Sequence, residues 1–169
     1  MKKVDLGVKP YLFPMPMLMI ATYNEDDTVD VMAMAWGGIS DNDKVALNLS
    51  ENQKTCKNLK ERMAFTISVA DVPHLKESDL FGTASGNTMK DKFERTGMHA
   101  TKSAKVDAPV IDEYPITLEC IVDRIDTEDG EFRVVGKIMG VLANEDVLDE
   151  SGKVDPSRLN AFVFDQFQN

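Results

Sequence analysis

Histidine and cysteine are scarce in this chain of 169 residues, which contains two of each. His74 and His99 are not spaced as metal ligands with Cys56 or Cys120, and the two cysteines form no C-x-x-C pair. The G-x-S-x-G turn of many hydrolases is absent too, so a nucleophilic site would have to bring a histidine to a residue that is distant in sequence. We therefore expect no metal site and assign no catalytic side chain.

Long apolar runs are also missing. The run 15–21 is too short to span a bilayer and contains Pro16, and the first residues do not read as a signal peptide. We expect a cytoplasmic protein with no membrane partner, in which both thiols stay reduced. Cys120 lies in an apolar stretch and is expected in the core, whereas for Cys56 an inert and a redox-active thiol both remain open.

Positively charged residues are also few: the chain has 19 lysines and arginines against 29 acidic residues, which gives a net charge of −10. A protein that binds nucleic acid needs a basic surface to displace phosphate counter-ions, so we expect no nucleic-acid partner. The G-x-G-x-x-G fingerprint and the P-loop are absent as well. Any phosphate site must then be built from local lysines and backbone N–H groups.

What the sequence does contain is alternation of apolar and polar residues, as in Val45, Leu47 and Leu49, and this pattern predicts strands. Strands outnumber helices and come as hairpins, which favours a mainly β barrel with short peripheral helices over a doubly wound α/β fold. No linker divides the chain, so we expect one domain over 1–169. The predicted strands are 18–23, 31–36, 44–49, 64–70, 116–122 and 133–142. One short helix is predicted after Ser50 and ends near residue 62, and further helical segments are predicted over 74–80, 91–95 and 156–159. The chain then has an aromatic tail with Phe162, Phe164 and Phe167.

The segment 30–36 is a candidate site for a planar ligand. Small side chains alternate there with large apolar ones, so a flat ring can approach the backbone, and Gly37 and Gly38 permit a tight exit. The alternative is that Trp36, the only tryptophan, is simply a core residue. The residues concerned are Asp30, Met32, Ala33, Met34, Ala35 and Trp36.

A second candidate site lies where the strand 44–49 ends and a helix begins. Ser50, Lys54 and Thr55 offer two hydroxyl groups, an ammonium group and first-turn N–H groups, a set that suits a phosphate. The alternative is that Ser50 merely caps the helix in a capping box with Gln53.

Several short pieces match one known family in order and spacing. The chain resembles the flavin reductase-like, FMN-binding split-barrel proteins, including the flavoredoxins, from about 14 to 164. The matching pieces are Pro16 with the strand to Thr22, Met34-Ala-Trp-Gly37, Ser50 with Lys54-Thr55 and Asn58-Leu59, Ala84-Ser-Gly86 with Lys92-Phe93, Ala108-Pro109, Leu118-Glu-Cys120, Val135-Gly-Lys-Ile138 and the segment 148–156.

The resemblance implies a six-stranded split barrel of the Greek-key type, usually dimeric, that binds FMN near the subunit interface. It also implies an oxidoreductase that exchanges electrons with NAD(P)H or a redox protein. A non-catalytic flavin-binding or electron-carrier module on the same scaffold is the alternative. Carried over, Asp30 and the residues Met32, Ala33, Met34, Ala35 and Trp36 border the flavin, and Ser50, Lys54 and Thr55 receive its phosphate with Asn58 nearby. Ser85 also belongs to the cofactor site, Lys92 after the Ser85-Gly86 loop adds a second positive charge, and Phe164 covers the ring.

Two departures from the family pattern bear on the site. The family often has Asn where this chain has Asp30, and a carboxylate close to a reduced flavin is unfavourable unless it points away or is paired. Some relatives place a histidine in the late turn, where residues 131–133 here contain none. Any role that this histidine has in relatives is therefore not carried over.

Overall fold

A computed structural model of the chain describes residues 1–165, so Phe167 of the aromatic tail lies outside them. The predicted strands are all found, with ends that differ by one or two residues, except that the strand predicted over 116–122 continues to Glu128. The strands are β1 (Met15–Pro16), β2 (Leu18–Tyr23), β3 (Val29–Met34), β4 (Gly37–Asp41), β5 (Lys44–Ser50), β6 (Ala64–Val69), β7 (Ala100–Lys102), β8 (Pro109–Ile111), β9 (Ile116–Glu128), β10 (Glu131–Ala143) and β11 (Val163–Phe164). The helices are α1 (Lys54–Arg62) and α2 (Leu75–Thr83), and single 3-10 turns cover Val72–His74, Glu94–Thr96, Glu145–Val147 and Pro156–Arg158.

The main sheet closes on itself. Its seven strands are all antiparallel and follow the order β3-β2-β6-β9-β10-β5-β4, so β3 and β4 lie at opposite edges. These two strands are joined by Ala35 and Trp36 alone, and the Trp36 carbonyl accepts a hydrogen bond of 2.9 Å from the N–H of Asn48 on β5. Counted as one bent strand, β3 and β4 give a six-stranded barrel without open edges. The predicted mainly β split barrel is confirmed.

Alternate side chains of these strands fill the barrel. Val45, Leu47 and Leu49 of β5 are buried there, as their spacing predicts, together with Phe65 of β6. Gly136 on β10 leaves room for the Phe65 ring, since a Cβ at this position would lie 2.3 Å from Phe65 Cζ. The barrel interior is therefore a packed core rather than a ligand channel.

A second apolar cluster holds α2 and the following loop against the outside of β2 and β3. Met19 and Val31 face outward from the barrel into this cluster, and the rings of Phe81 and Phe93 stack there with centroids 6.2 Å apart. The loop 84–92 between these two phenylalanines is consequently fixed beside β3. This packing positions one wall of the site described below.

Three local predictions are wrong. Gly37 and Gly38 do not form an exit turn but continue into β4, opposite Leu47 and Ala46. The predicted helix 91–95 is replaced by the 3-10 turn Glu94–Thr96, which Gly97 ends with a φ of 73°. The helix α1 has Gln53 as its N-cap instead of Ser50.

No helix within residues 1–165 is both long enough and apolar enough to cross a membrane.

Candidate functional site

A large cleft of about 700 Å³ opens where β3 bends into β4. Its walls come from that bend, the end of β5, the turn before β10, and β11. A volume of this size lies within the range of small-molecule sites. Predicted site residues that line it are Met32, Ala33, Met34, Ala35, Trp36, Ser50 and Phe164, and the other lining residues are Met17, Asn48, Leu49, Gln53, Gly82, Gly130, Glu131, Phe132 and Arg133.

Two aromatic rings stand at the rim of the large cleft. Trp36 is 46% exposed, so it is not a core residue, and its ring centroid lies 5.9 Å from that of Phe164 with the planes 59° apart. Phe164 is held in place by β11, which pairs with β1 so that it lies opposite Met15. The cleft thus combines methionine and alanine side chains with a partly exposed indole, which suits a flat aromatic ligand.

A small cavity of about 190 Å³ adjoins the cleft and shares Met32, Ala33, Gln53 and Gly82 with it. Gly82 permits this junction, because a Cβ there would come within 3.3 Å of Ala33 Cβ. The predicted residues Lys54, Thr55, Ser85 and Lys92 line the small cavity beside Phe81, Thr83, Ala84 and Gly86. Residues from the start of α1 and from the loop 84–92 therefore meet in one place.

The small cavity is suited to an anion. Lys54 and Thr55 occupy the first turn of α1, whose N–H groups have no partner within the helix and carry the positive end of its dipole. Lys92 adds an ammonium group that is only 3% exposed. A phosphate placed here would receive charge-assisted hydrogen bonds from both lysines.

Asp30 connects residues that line the small cavity but does not line this cavity itself. Its Oδ2 accepts a hydrogen bond of 2.7 Å from Thr55 Oγ1, and its Oδ1 lies 3.2 Å from Lys92 Nζ. Gly86 packs so closely that a Cβ there would lie 2.5 Å from Asp30 Oδ1 and 3.2 Å from Lys54 Cβ. The carboxylate is thus paired, and Asp30 lines a polar cavity of about 500 Å³ that shares Lys54 and Gly86 with the small cavity.

Asp30 and Asn58 are the two predicted residues that line neither the cleft nor the small cavity. Asn58 does not line the polar cavity either. It is fully buried, and its amide donates to Thr22 Oγ1 and Asn24 Oδ1, each at 3.0 Å. Its side chain ties α1 to the hairpin of β2 and β3. Sequence reasoning in turn missed Gln53, Gly82 and Gly86 in the walls, although the two glycines on either side of 83–85 are a signal for close backbone approach.

The cysteine and histidine side chains do not line the large cleft or the small cavity. Cys56 is buried in α1, its Sγ lies 3.2 Å from the Ser50 carbonyl oxygen, and burial raises its pKa to about 11. A thiol of that pKa is protonated at neutral pH, which favours the inert role. His74 and His99 pair with Asp71 and Glu113. The described residues contain no group of three or more side chains that would bind a metal.

These features fit FMN. The large cleft has the size and the apolar, aromatic walls for an isoalloxazine ring, and the adjoining small cavity has two ammonium groups for a phosphate. The narrow junction at Gly82 and Ala33 lies between the two, where the ribityl chain would pass. Twelve of the thirteen predicted positions line the cleft, the small cavity or the polar cavity behind it.

Comparison with known proteins agrees with this geometry. The model of the flavin reductase like domain matches residues 11–161. The structure is similar to flavoredoxin of Desulfovibrio vulgaris (Miyazaki F), with a TM-score of 0.92 and 28% identity over 98% of this chain and 90% of that one. It is also similar to flavoredoxin from Methanosarcina acetivorans, with a TM-score of 0.87 and 19% identity over 99% and 88%.

An FMN-binding protein from Thermus thermophilus, solved with 1-cyclohex-2-enone, shares the fold with a TM-score of 0.74 and 17% identity over 92% of this chain and 87% of that one. None of the curated proteins matches the chain. The family match covers most of the residues and includes every element that lines the large cleft except β11. The chain belongs to the flavin reductase like domain family.

Proposed function

We propose that this protein is an FMN-dependent oxidoreductase of the flavin reductase or flavoredoxin type. It passes electrons from a reduced nicotinamide nucleotide or a protein donor to an acceptor through bound FMN. The observation that carries the proposal is the junction of an apolar cleft with a small cavity that holds Lys54 and Lys92. Family membership supports the same cofactor and the same general chemistry.

FMN, when bound, supplies the redox chemistry, and the side chains supply position and charge. Met32, Met34 and Trp36 provide the surface for the ring, and Phe164 limits its movement at the rim. Lys54 and Lys92 bind the phosphate. Because the Thr55 hydroxyl already donates to Asp30, we expect Thr55 to contribute its backbone N–H rather than its hydroxyl proton.

The binding test compares two lysines on the same helix. Lys54 lines the small cavity, whereas Lys57 lines only the polar cavity behind it. Lys54→Ala should weaken FMN binding by about 1.5–3 kcal/mol, the usual worth of a hydrogen bond to a charged group. Lys57→Ala should change it little, and riboflavin, which has no phosphate, should bind both variants like the unchanged protein.

Flavin fluorescence quenching and the visible spectrum of the reconstituted protein measure this binding. If the unchanged protein binds no FMN below millimolar concentration, the proposed function is wrong. If Lys54→Ala and Lys57→Ala weaken FMN equally, the phosphate lies outside the small cavity.

Turnover distinguishes the two modes of electron supply. Sustained oxidation of NADH or NADPH with added FMN is expected of a flavin reductase, and the cleft would then also admit the nicotinamide. A carrier of the flavoredoxin type would retain FMN, react slowly with either nucleotide and exchange electrons rapidly with a reduced redox protein. A flavin-binding module without turnover would do neither.

A further inference from the structure

The ion pair between Asp30 and Lys92 is buried at the boundary of the small cavity. Asp30 is 2% exposed and Lys92 is 3% exposed, and their charged atoms lie 3.2 Å apart. Lys92 lines the small cavity, whereas Asp30 lines the polar cavity, which shares Lys54 and Gly86 with the small one. The Asp30 carboxylate is therefore linked through the Lys92 ammonium group to the cavity proposed for the flavin phosphate.

Three charged residues either line the small cavity or pair with a residue that lines it. Lys54 and Lys92 contribute two positive charges and Asp30 one negative charge, which leaves a net charge of +1. A buried ammonium group needs a counter-ion, and within residues 1–165 the ion pair of Lys92 is the one with Asp30. The carboxylate supplies that counter-charge whether or not a phosphate is present.

We propose that Asp30 is a resident counter-ion that lowers the affinity for the flavin phosphate and keeps FMN exchangeable. A phosphate that enters the small cavity meets a lysine whose charge is already compensated, and it also experiences repulsion from the carboxylate paired with that lysine. Both effects are strong because the pair is shielded from water. This inference rests on the proposed function, and it makes Asp30 a residue that acts on FMN through Lys92.

The affinity for FMN should then follow the net charge of the three residues. Asp30→Asn raises this charge to +2 and should tighten FMN binding by about tenfold or more, since that corresponds to a modest change in a buried electrostatic interaction. Lys92→Met lowers the charge to 0 and should weaken FMN binding by about tenfold or more. The double variant Asp30→Asn/Lys92→Met has the original +1 and should bind FMN close to the unchanged protein.

Riboflavin is the matched ligand for this test. It carries the ring without the phosphate, so its dissociation constant should stay the same in all four proteins. Glu25→Gln is the matched variant, because Glu25 lines the same polar cavity from an exposed turn and its removal takes away one negative charge at a distance from Lys92. FMN affinity of this variant should differ from that of the unchanged protein by less than about threefold.

The flavin-free proteins give a second readout. Asp30→Asn leaves Lys92 without its counter-ion, so its melting temperature without flavin should fall and FMN should raise it by more than in the unchanged protein. The double variant contains no unpaired buried charge and is expected to fold.

Equal or weaker FMN binding by Asp30→Asn would overturn the inference and would indicate that Asp30 serves to position Thr55 and Lys92. If Asp30→Asn does not fold, the double variant must bind FMN more tightly than Lys92→Met, and equal affinity of these two overturns the inference. Equal FMN affinity in all variants leaves the proposed function intact. Failure of the unchanged protein to bind FMN refutes the proposed function and the inference with it.

Discussion

The thiol of Cys56 illustrates how burial controls the chemistry of a single residue. Burial raises its pKa from 9.0 to about 11, so the folded protein holds this proton more tightly than the unfolded chain does. The free energy of unfolding should therefore be unaffected by this group below about pH 9 and should fall as the pH rises toward 11. Cys120, whose pKa burial raises to about 12, acts in the same direction.

Urea unfolding between pH 7.5 and pH 11 tests this prediction, and Cys56→Ala should flatten the alkaline decline. Iodoacetamide should label neither cysteine of the folded protein at pH 7.5, and both in denaturant. Rapid labelling of folded protein at Cys56 would show that the thiol is accessible and would reopen the redox-active alternative.

Some residues around the cleft and the small cavity are placed by local sequence pattern, whereas others are brought together only by contacts between distant parts of the chain. Trp36 and Lys54 were predictable because local pattern places one after alternating small residues and the other at the start of a helix. The partnership of Asp30 with Lys92 was not, since 62 positions separate them and only the packing of the loop 84–92 beside β3 brings them together. Asn58 shows the opposite case, because a polar residue near the site in sequence is buried and donates to Thr22 and Asn24 instead of lining the cleft or the small cavity.

Strand β10 depends on a glycine for its packing against the barrel core. A Cβ at Gly136 would lie 2.3 Å from Phe65 Cζ and 2.8 Å from Phe65 Cε1, and the Phe65 ring is fully buried. Gly136→Ala should therefore destabilise the protein by about 1–3 kcal/mol, the usual cost of overpacking a core. Gly38→Ala on β4 is the control, since a Cβ there meets nothing within 4 Å.

Chemical denaturation of both variants gives the comparison. Gly38→Ala should leave the free energy of unfolding unchanged or slightly higher, because alanine restricts the unfolded chain more than glycine does. A Gly136→Ala variant as stable as the unchanged protein would mean that the Phe65 ring has room to move.

Elements were predictable where periodicity alone decides them. The alternation of Val45, Leu47 and Leu49 predicts β5 because one face of that strand is buried in the barrel. Glycine has no side chain that could take part in an alternating strand pattern, so the sequence predicts a turn at Gly37 and Gly38. Their pairing with β5 makes them part of β4 instead. The residues of 91–95 are compatible with a helix, but Lys92 and Phe93 are buried and the chain forms the 3-10 turn Glu94–Thr96 instead.

At the scale of the whole molecule, barrel closure and site formation have the same cause. The chain leaves one edge of the sheet at Met34 and joins the other edge at Gly37, so Ala35 and Trp36 cross the seam. The large cleft lies against this crossing, where ladder pairing is interrupted and side chains remain accessible. Single-strand patterns carry no information about which strands become neighbours, so the position of the seam follows from topology alone.

The two long strands β9 and β10 leave apolar surface exposed, and this feature leads to the last prediction. Ile121, Met139, Val141 and Leu142 are each more than one third exposed. Exposed apolar side chains grouped on one pair of strands are unfavourable in water and are often covered by a partner, most often a second copy of the same chain. We therefore predict a homodimer in which β9 and β10 contribute to the interface.

Light scattering at micromolar concentration should give twice the chain mass, and Met139→Asp/Val141→Asp should give the mass of one chain, because burying two new carboxylates opposes association. Val72→Asp is the matched control: Val72 is at least as exposed but belongs to the 3-10 turn Val72–His74 and not to β9 or β10, so this variant should remain dimeric. A monomeric unchanged protein would contradict the prediction. A dimer that survives both aspartates would place the interface on another surface of the barrel.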